Sequence, residues 1–513
     1  MPFPHIKTKK RMIDPDFMKI DKALFKAILI LSAGVSVANF FPIVLAETRE
    51  NLRIDEAIKR SLTQNPDLSQ SQLGIDLSEA QLQRTRGAFD WTLTARSNQV
   101  TNESDTANPL RAESISTQNH SLGITHLFKS TGAVIETTIE QTTIENNYSQ
   151  AQLSTPGASS FLADENIGET TATLSISQPL WKNWLASIQR SQELAAETSI
   201  DSALSAHEIQ KRTLILQVES QYWSAYIASR ALETQGKSLR RTKDFLDLVL
   251  ERRKRGLAEK LDEIQAKSAV KSQELALQEA QKNALREQRK LALLLGEPGK
   301  RYRLQSSPKN QTKENLDPER SLKRALKERP EIKQQQAALK AQRHLADSAE
   351  EDTKPELNAV ASVSGNKIDE SAKWGETFSA DNPVYQVGLS FSLPLGNDAA
   401  EGAASSEKVK LLQKEAELLS LRKRIKDEIL QAIDQIDQTQ ERLQILQELT
   451  RLQRSKLEEA RERFNQGRAS SKLIIDFENE LNEAELTLDQ ERVNLEVARA
   501  NLRVAEGRVG RDF

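Results

Sequence analysis

The sequence predicts a mainly α-helical chain that also carries strands suited to a membrane β-barrel, laid out as two structural repeats. Three observations predict this. Only 5% of the 513 residues are aromatic while 28% are charged, the make-up of long amphipathic helices rather than of thick globular cores. Landmarks recur along the chain at constant offsets, the mark of an internal duplication. Twice, a run of alternating polar and apolar residues ends in Ser-x-Pro-Leu, at SISQPL (175–180) and SFSLPL (390–395), and leads into more than a hundred residues without proline.

The first 46 residues read as a secretory signal. Lys22 and Lys26 precede an apolar run from Ala27 to Ala46, which closes on the small-residue cleavage pattern Val44-Leu45-Ala46. MKIDKALFKA, from Met18, is a normal signal start, so translation from Met18 is a second possibility. A single membrane anchor is the alternative, but Asn39 and Pro42 interrupt the run. With no cysteine in the chain, disulfides, thiolate metal sites and a lipoprotein anchor are excluded. No later segment approaches the roughly 18 consecutive apolar residues of a spanning helix, so a mature membrane span must be built from strands.

The first repeat covers 47–298 and the second 315–513, joined by a polar, turn-rich linker at 299–314. LRIDEAIKRSLTQNPDL (52–68) lies over LDPERSLKRALKERPEI (316–332) at an offset of 264, pairing Pro66 with Pro330. Later landmarks match at 211: Gly256 with Gly467 and Gly296 with Gly507. Each repeat therefore predicts a short helical pair around a proline, a β excursion (91–178, then 356–393), a long helix, a glycine turn and a further helix.

The long helices carry a seam with alternating steps of three and four residues, from Ile429 through Ile436, Thr439, Leu446, Thr450 and Leu457 to Phe464, and its equivalent from Val218 to Arg253. Periodicity alone fits an ordinary soluble coiled coil. The β excursions add what a coiled coil lacks. Trp91, Leu93 and Ala95 alternate with Thr92, Thr94 and Arg96, and Tyr385, Val387, Leu389 and Phe391 with Gln386, Gly388, Ser390 and Ser392. One side suits lipid and the other water, as in a barrel wall, although a half-buried soluble strand has the same pattern. Aromatic residues concentrate in these stretches, among them Trp181, Trp184, Trp374 and Phe378, as a bilayer interface favours. A further hairpin is expected at 121–143, turning at Lys129 to Gly132.

These residues resemble the TolC-like outer-membrane efflux protein family over essentially all of 50–510. The likeness rests on the duplicated plan, the Ser-x-Pro-Leu junctions and the paired turns RRKRGLAEKLDEIQAK (252–267) and ERFNQGRASSKLIIDFENELNEAEL (462–486). It implies a homotrimer sharing one β-barrel and one long α-helical periplasmic tunnel, located in the outer membrane and passively conducting substrates as the exit duct of a tripartite efflux or type I secretion system. A periplasmic adaptor and an inner-membrane pump are the implied partners, and no cofactor is implied. The family carries two strands in the first excursion, whereas four are expected here.

The resemblance places adaptor docking on Arg255, Gly256, Leu257 and Ala258 and on Gln466, Gly467, Arg468, Ala469 and Ser470. It places the aperture at Asp262 and Asp476, with Phe464 where the family often has tyrosine. Pro179 and Pro394 mark the strand-to-helix junctions, where proline, lacking N–H and with φ near −65°, suits a first helical turn. Glycine at 256 and 467 also serves as an ordinary helix cap, and either aspartate also reads as a solvated helix residue. No phosphate loop, nucleophile elbow or metal-spaced histidine cluster marks an enzyme, and a net charge of −2 marks no nucleic-acid surface. The competing reading is a periplasmic adaptor or structural coiled-coil protein.

Overall fold

The structure, a computed structural model, describes residues 50–104, 108, 110–154, 157, 160–305, 316–370 and 383–508. The signal segment, Trp374, Phe378 and most of the expected linker lie outside them. In chain order the first repeat comprises β1 (Glu50–Leu52), α1 (Ile54–Gln64), α2 (Pro66–Arg86), β2 (Thr92–Asn102), β3 (Ser114–Leu127), β4 (Val134–Asn147), the single turn α3 (Gln150–Leu153), β5 (Asn166–Pro179), α4 (Ser187–Lys254) and α5 (Lys260–Leu294). After β6 (Tyr302–Leu304), the second repeat comprises α6 (Pro318–Glu328), α7 (Pro330–Asp352), β7 (Glu356–Asp369), β8 (Pro383–Ser392), α8 (Asp398–Asn465) and α9 (Ser471–Ala505).

The duplication is carried into matched pieces: α4 and α8 are both 68 residues long and α5 and α9 both 35. At 1.5 Å per residue, 68 residues span about 100 Å. The seam is their packing face. Val218, Ala225, Gln235, Thr242 and Val249 are buried on α4, and Ile429, Ile436, Thr439, Thr450, Leu457 and Phe464 on α8. Small and polar members of the seam let the backbones approach closely, so the apolar cores stay thin. One gathers Leu52, Ile58, Ile215, Tyr222, Leu291 and Tyr302, and its counterpart in the second repeat gathers Ala325, Ile332, Ile425, Ile429 and Leu502. Tyr222 ties the first together by donating its hydroxyl to the Leu52 carbonyl at 3.1 Å.

The short helices begin as their residue types dictate. Pro66, Pro318 and Pro330 stand in first turns, where their missing N–H costs nothing, and the side chains of Asn65 and Asp317 accept the orphan N–H groups beside them. Pro179 and Pro394 do not share that position. Pro179 is the last residue of β5, well before α4 begins at Ser187, and Pro394 lies between β8 and the start of α8 at Asp398. They end strands, because proline cannot donate to a ladder. The turn into each helix is made by residues in the left-handed region: Asn183, Leu185 and Ala186 at φ 61°, 55° and 54°, and Gly396 and Asn397 at 101° and 48°. Asn183 then accepts the Ile188 N–H at 3.0 Å, and Asn397 donates to the Thr353 carbonyl at 2.9 Å.

The linker is not wholly a connector. Tyr302–Leu304 pairs in parallel with Glu50–Leu52, and Tyr302 is almost fully buried.

Gly296 and Gly507 show how closely the repeats match. At φ +73° and +77° they end α5 and α9, and a Cβ on either would come within 3.1 Å of Gln64 or Glu328, residues themselves 264 apart. Gly256, at φ +75°, has open space around it. A left-handed non-glycine residue costs about 1–2 kcal/mol. Gly507→Ala should therefore lower the thermal unfolding midpoint clearly more than Gly256→Ala, because only the former adds a clash with backbone. Equal midpoints would show that the close approach carries no energetic weight.

Candidate functional site

Three regions are candidates: the tip turns, the helices just behind them, and the sheet.

At the tips, both long helices end in the same cap. The Leu257 N–H donates to the Arg252 carbonyl at 2.8 Å and Gly256 to Arg253 at 2.9 Å; Arg468 donates to Arg463 at 2.7 Å and Gly467 to Phe464 at 2.9 Å. These paired bonds satisfy helix-end carbonyls and need φ > 0 at the glycine. Arg255, Gly256, Leu257, Gln466, Gly467, Arg468 and Ser470 are exposed, whereas Ala258 and Ala469 are half-buried. Leu257 is an apolar side chain left 63% exposed. The two turns lie side by side because Arg252 donates to the carbonyls of Phe464 (2.7 Å) and Asn465 (3.0 Å), with its guanidinium 4.8 Å from the Phe464 ring. In the sequence Arg252 is one of several adjacent cations, and nothing there separates it from its neighbours.

The aperture candidates occupy different settings. Asp262 accepts the Glu259 N–H at 3.0 Å and so caps α5. Asp476 pairs with Lys472 one turn earlier at 2.9 Å. Phe464 is buried against Phe245 at 5.2 Å, inside the core shared by both hairpins, rather than presented to solvent.

Behind the tips lies a polar set that sequence reasoning missed. Glu478 of α9, only 4% exposed, accepts from Arg241 of α4 and from Arg461 of α8, the latter at 3.3 Å. Beside it, Gln235 donates to Gln273, Gln273 to Asn479 at 3.0 Å, and Asn482 to Gln235 at 3.2 Å. The Arg241–Glu478, Gln273–Asn479 and Asn482–Gln235 bonds join the helices of one repeat to those of the other, where an unmet buried polar group is costly.

The sheet has six strands in the order β2-β3-β4-β5-β7-β8, every pair antiparallel. The expected hairpin is present as β3–β4, turning through Gly132 at φ +74°. The register aligns the alternation across strands. Leu93, Ile124, Thr137, Leu174, Val363 and Tyr385 form one row, and the row His126, Ile135, Ile176, Ala361 and Val387 continues the same face. The row Thr92, Thr125, Glu136, Ser175, Ser362 and Gln386 lies on the other. The apolar face is bare: Leu93 is 66% exposed and Val387 86%. Trp91 stacks on His126 with ring centroids 4.2 Å apart, at the helix end of this face. The outer edges of β2 and β8 have no partner strand among the described residues. A bare apolar face with two open edges suits lipid only if the edges close on other copies. No helix among the described residues is long and apolar enough to cross a membrane.

The sequence model of the family described as "Outer membrane efflux protein" matches residues 57–297 and 321–508. No curated protein matches the chain by sequence. Among solved structures, the CusC channel superposes with a TM-score of 0.68 at 16% identity, covering 90% of this chain and 93% of that one. VceC from Vibrio cholerae gives 0.65 at 14% identity, covering 88% and 96%. CmeC from Campylobacter jejuni gives 0.65 at 14% identity, covering 93% of each. Identities this low show a shared fold, while the family match spans both repeats and all four long helices. The chain belongs to the outer membrane efflux protein family.

Proposed function

We propose that the protein is the passive exit duct of a tripartite efflux or type I secretion system: a homotrimer whose sheets close into one barrel in the outer membrane and whose helices continue it as a tunnel through the periplasm. The observation that carries this reading is a sheet apolar on one exposed face and polar on the other, open at both edges, and continuous with helices about 100 Å long. Such a sheet is stable in lipid only as part of a closed cylinder. An adaptor has no need of that wall.

The exposed tip turns, Arg255–Ala258 and Gln466–Ser470, are the docking surface for a periplasmic adaptor, through which an inner-membrane pump supplies the energy. Leu257 offers an apolar contact there, and Arg255 and Arg468 offer charge. Threefold symmetry would turn Asp262 and Asp476 into rings of carboxylates that favour cations at the closed end.

Fractionation tests the duct. A trimer that follows the outer membrane and needs detergent supports it, whereas a water-soluble monomer released by osmotic shock rules it out. For the aperture, replacing Asp262 and Asp476 with alanine together should raise single-channel conductance or weaken cation preference in planar bilayers. Unchanged currents would remove both residues from the gate.

A further inference from the structure

Four of the six strands continue directly into helices: β2 follows α2, β5 leads to α4, β7 follows α7 and β8 leads to α8. Side by side, these helices run α2, α4, α7, α8, the same order as their strands. Among the described residues, the hairpin β3–β4 alone has no helix beneath it, and its turn sits above the seam between α2 and α4.

Its strands are nonetheless full members of the sheet. β3 pairs along its whole length with β4, from Ser114↔Asn147 to Leu127↔Val134. Leu122, Ile124, Ile135 and Ile139 fall on the bare apolar face, in register with Ala95, Leu93, Ile176 and Ala172. The turn is also fastened to the helices below. Lys129 and Arg86 both pair with Glu193 of α4, Arg86 at 2.9 Å, and the Glu193 side chain is only 8% exposed. The Lys129 hydrogen bond, with help from Arg86, holds the Glu193 carboxyl below the usual carboxylate range. Gln178 donates to the Thr131 carbonyl at 2.8 Å, and Gly132 is so close to the junction that a Cβ would stand 2.6 Å from the Ala186 nitrogen.

The widths explain what the hairpin does. Packed helices stand 8–10 Å apart, so four occupy about 36 Å of arc per chain. Strands 4.8 Å apart and tilted by about 40° occupy about 6.3 Å each, so four cover about 25 Å and six about 38 Å. Six strands therefore span about the same arc as the four helices beneath them.

The geometry points to an eighteen-stranded barrel, three copies of this six-stranded sheet, in which the β3–β4 hairpin is a permanent sector of the membrane wall that keeps the exit as wide as the helical tunnel feeding it. The inference rests on the trimeric-duct reading. Cargo that passes the tunnel then meets no narrowing at the membrane, and sizing falls to the tip end alone.

The chain has no cysteine, so single cysteines can be labelled cleanly in the full-length protein. Leu122→Cys, Ile139→Cys and, as reference on β8, Leu389→Cys would each carry an environment-sensitive fluorophore, in vesicles containing phospholipid with a nitroxide on its acyl chain. Quenching at 122 and 139 equal to that at 389 is expected. Quenching at 389 without quenching at 122 and 139 overturns the inference and leaves the duct intact. No quenching at 389 removes the duct itself. Images of the detergent-solubilised protein along its threefold axis should count eighteen strands, and a count of twelve would overturn the hairpin's role in the wall.

Discussion

Val387→Arg should all but abolish assembled protein in the outer membrane, while Gln386→Arg, one residue away at nearly the same depth, should leave assembly intact. The two positions differ only in the face they occupy. Val387 is 86% exposed on the apolar side, between Tyr385 and Leu389, and in register with Ala361. Gln386 is in register with Ser362, and through it with Ser175 and Glu136, on the polar side. Arginine on the lipid side of a barrel near mid-bilayer costs about 2–4 kcal/mol. Three symmetric copies bring that to about 6–12 kcal/mol per barrel, comparable to the whole stability of a typical folded protein. On the lumen side the guanidinium stays hydrated, and its expected effect is on ion selectivity. Quantifying the trimer in outer-membrane fractions decides the matter, and equal abundance of the two variants would mean that this face does not meet lipid.

Much of this architecture was legible because its signals are local and repeated. Alternation over strands of 10–14 residues reports a two-sided environment whatever the fold around it, and the register then aligned each strand's apolar face with its neighbours'. The offsets of 264 and 211 found the glycine caps, because a left-handed helix end tolerates few residues other than glycine. The family resemblance, by contrast, supplied the expectation of a trimer and its partners, which no local pattern encodes.

Other features left weak or misleading marks. Proline stops a strand and starts a helix equally well, so Pro179 and Pro394 gave the junctions their place but not their mechanism. The residues that turn the corner, Leu185 and Ala186 among them, carry no sequence sign of a positive φ. The pairing of Tyr302–Leu304 with Glu50–Leu52 is too short to show periodicity. Phe464 was placed by resemblance at the aperture, and the structure buries it against Phe245. Glu193 and Glu478 look like any solvated helical glutamate until the packing of other helices buries them. Burial of a charge depends on tertiary neighbours, and one chain's sequence does not name those neighbours.

Glu478→Ala should loosen the tip end of the helices and leave the membrane wall unaffected. Glu478 bridges Arg241, on the first repeat's long helix, and Arg461, on the second's, and Arg241 also reaches Glu485 of α9 at 3.6 Å. Without it two cations from different repeats face each other near a buried site, and Arg241's hold on α9 falls to its longer pair with Glu485. Removing one partner of a fully buried ion pair costs about 3–5 kcal/mol. Arg461 is 39% exposed and Arg241 24%, so hydration recovers part of the loss, and about 2–4 kcal/mol is expected. The sheet lies at the other end of the long helices, so abundance in the outer membrane should hold while the thermal midpoint of the helical signal falls and single-channel conductance rises. Adding Arg241→Ala should restore part of both, since coupled residues are not additive. If Glu478→Ala changes neither quantity, the two hairpins are held together by their other contacts, and Phe245 packed on Phe464 becomes the one to test.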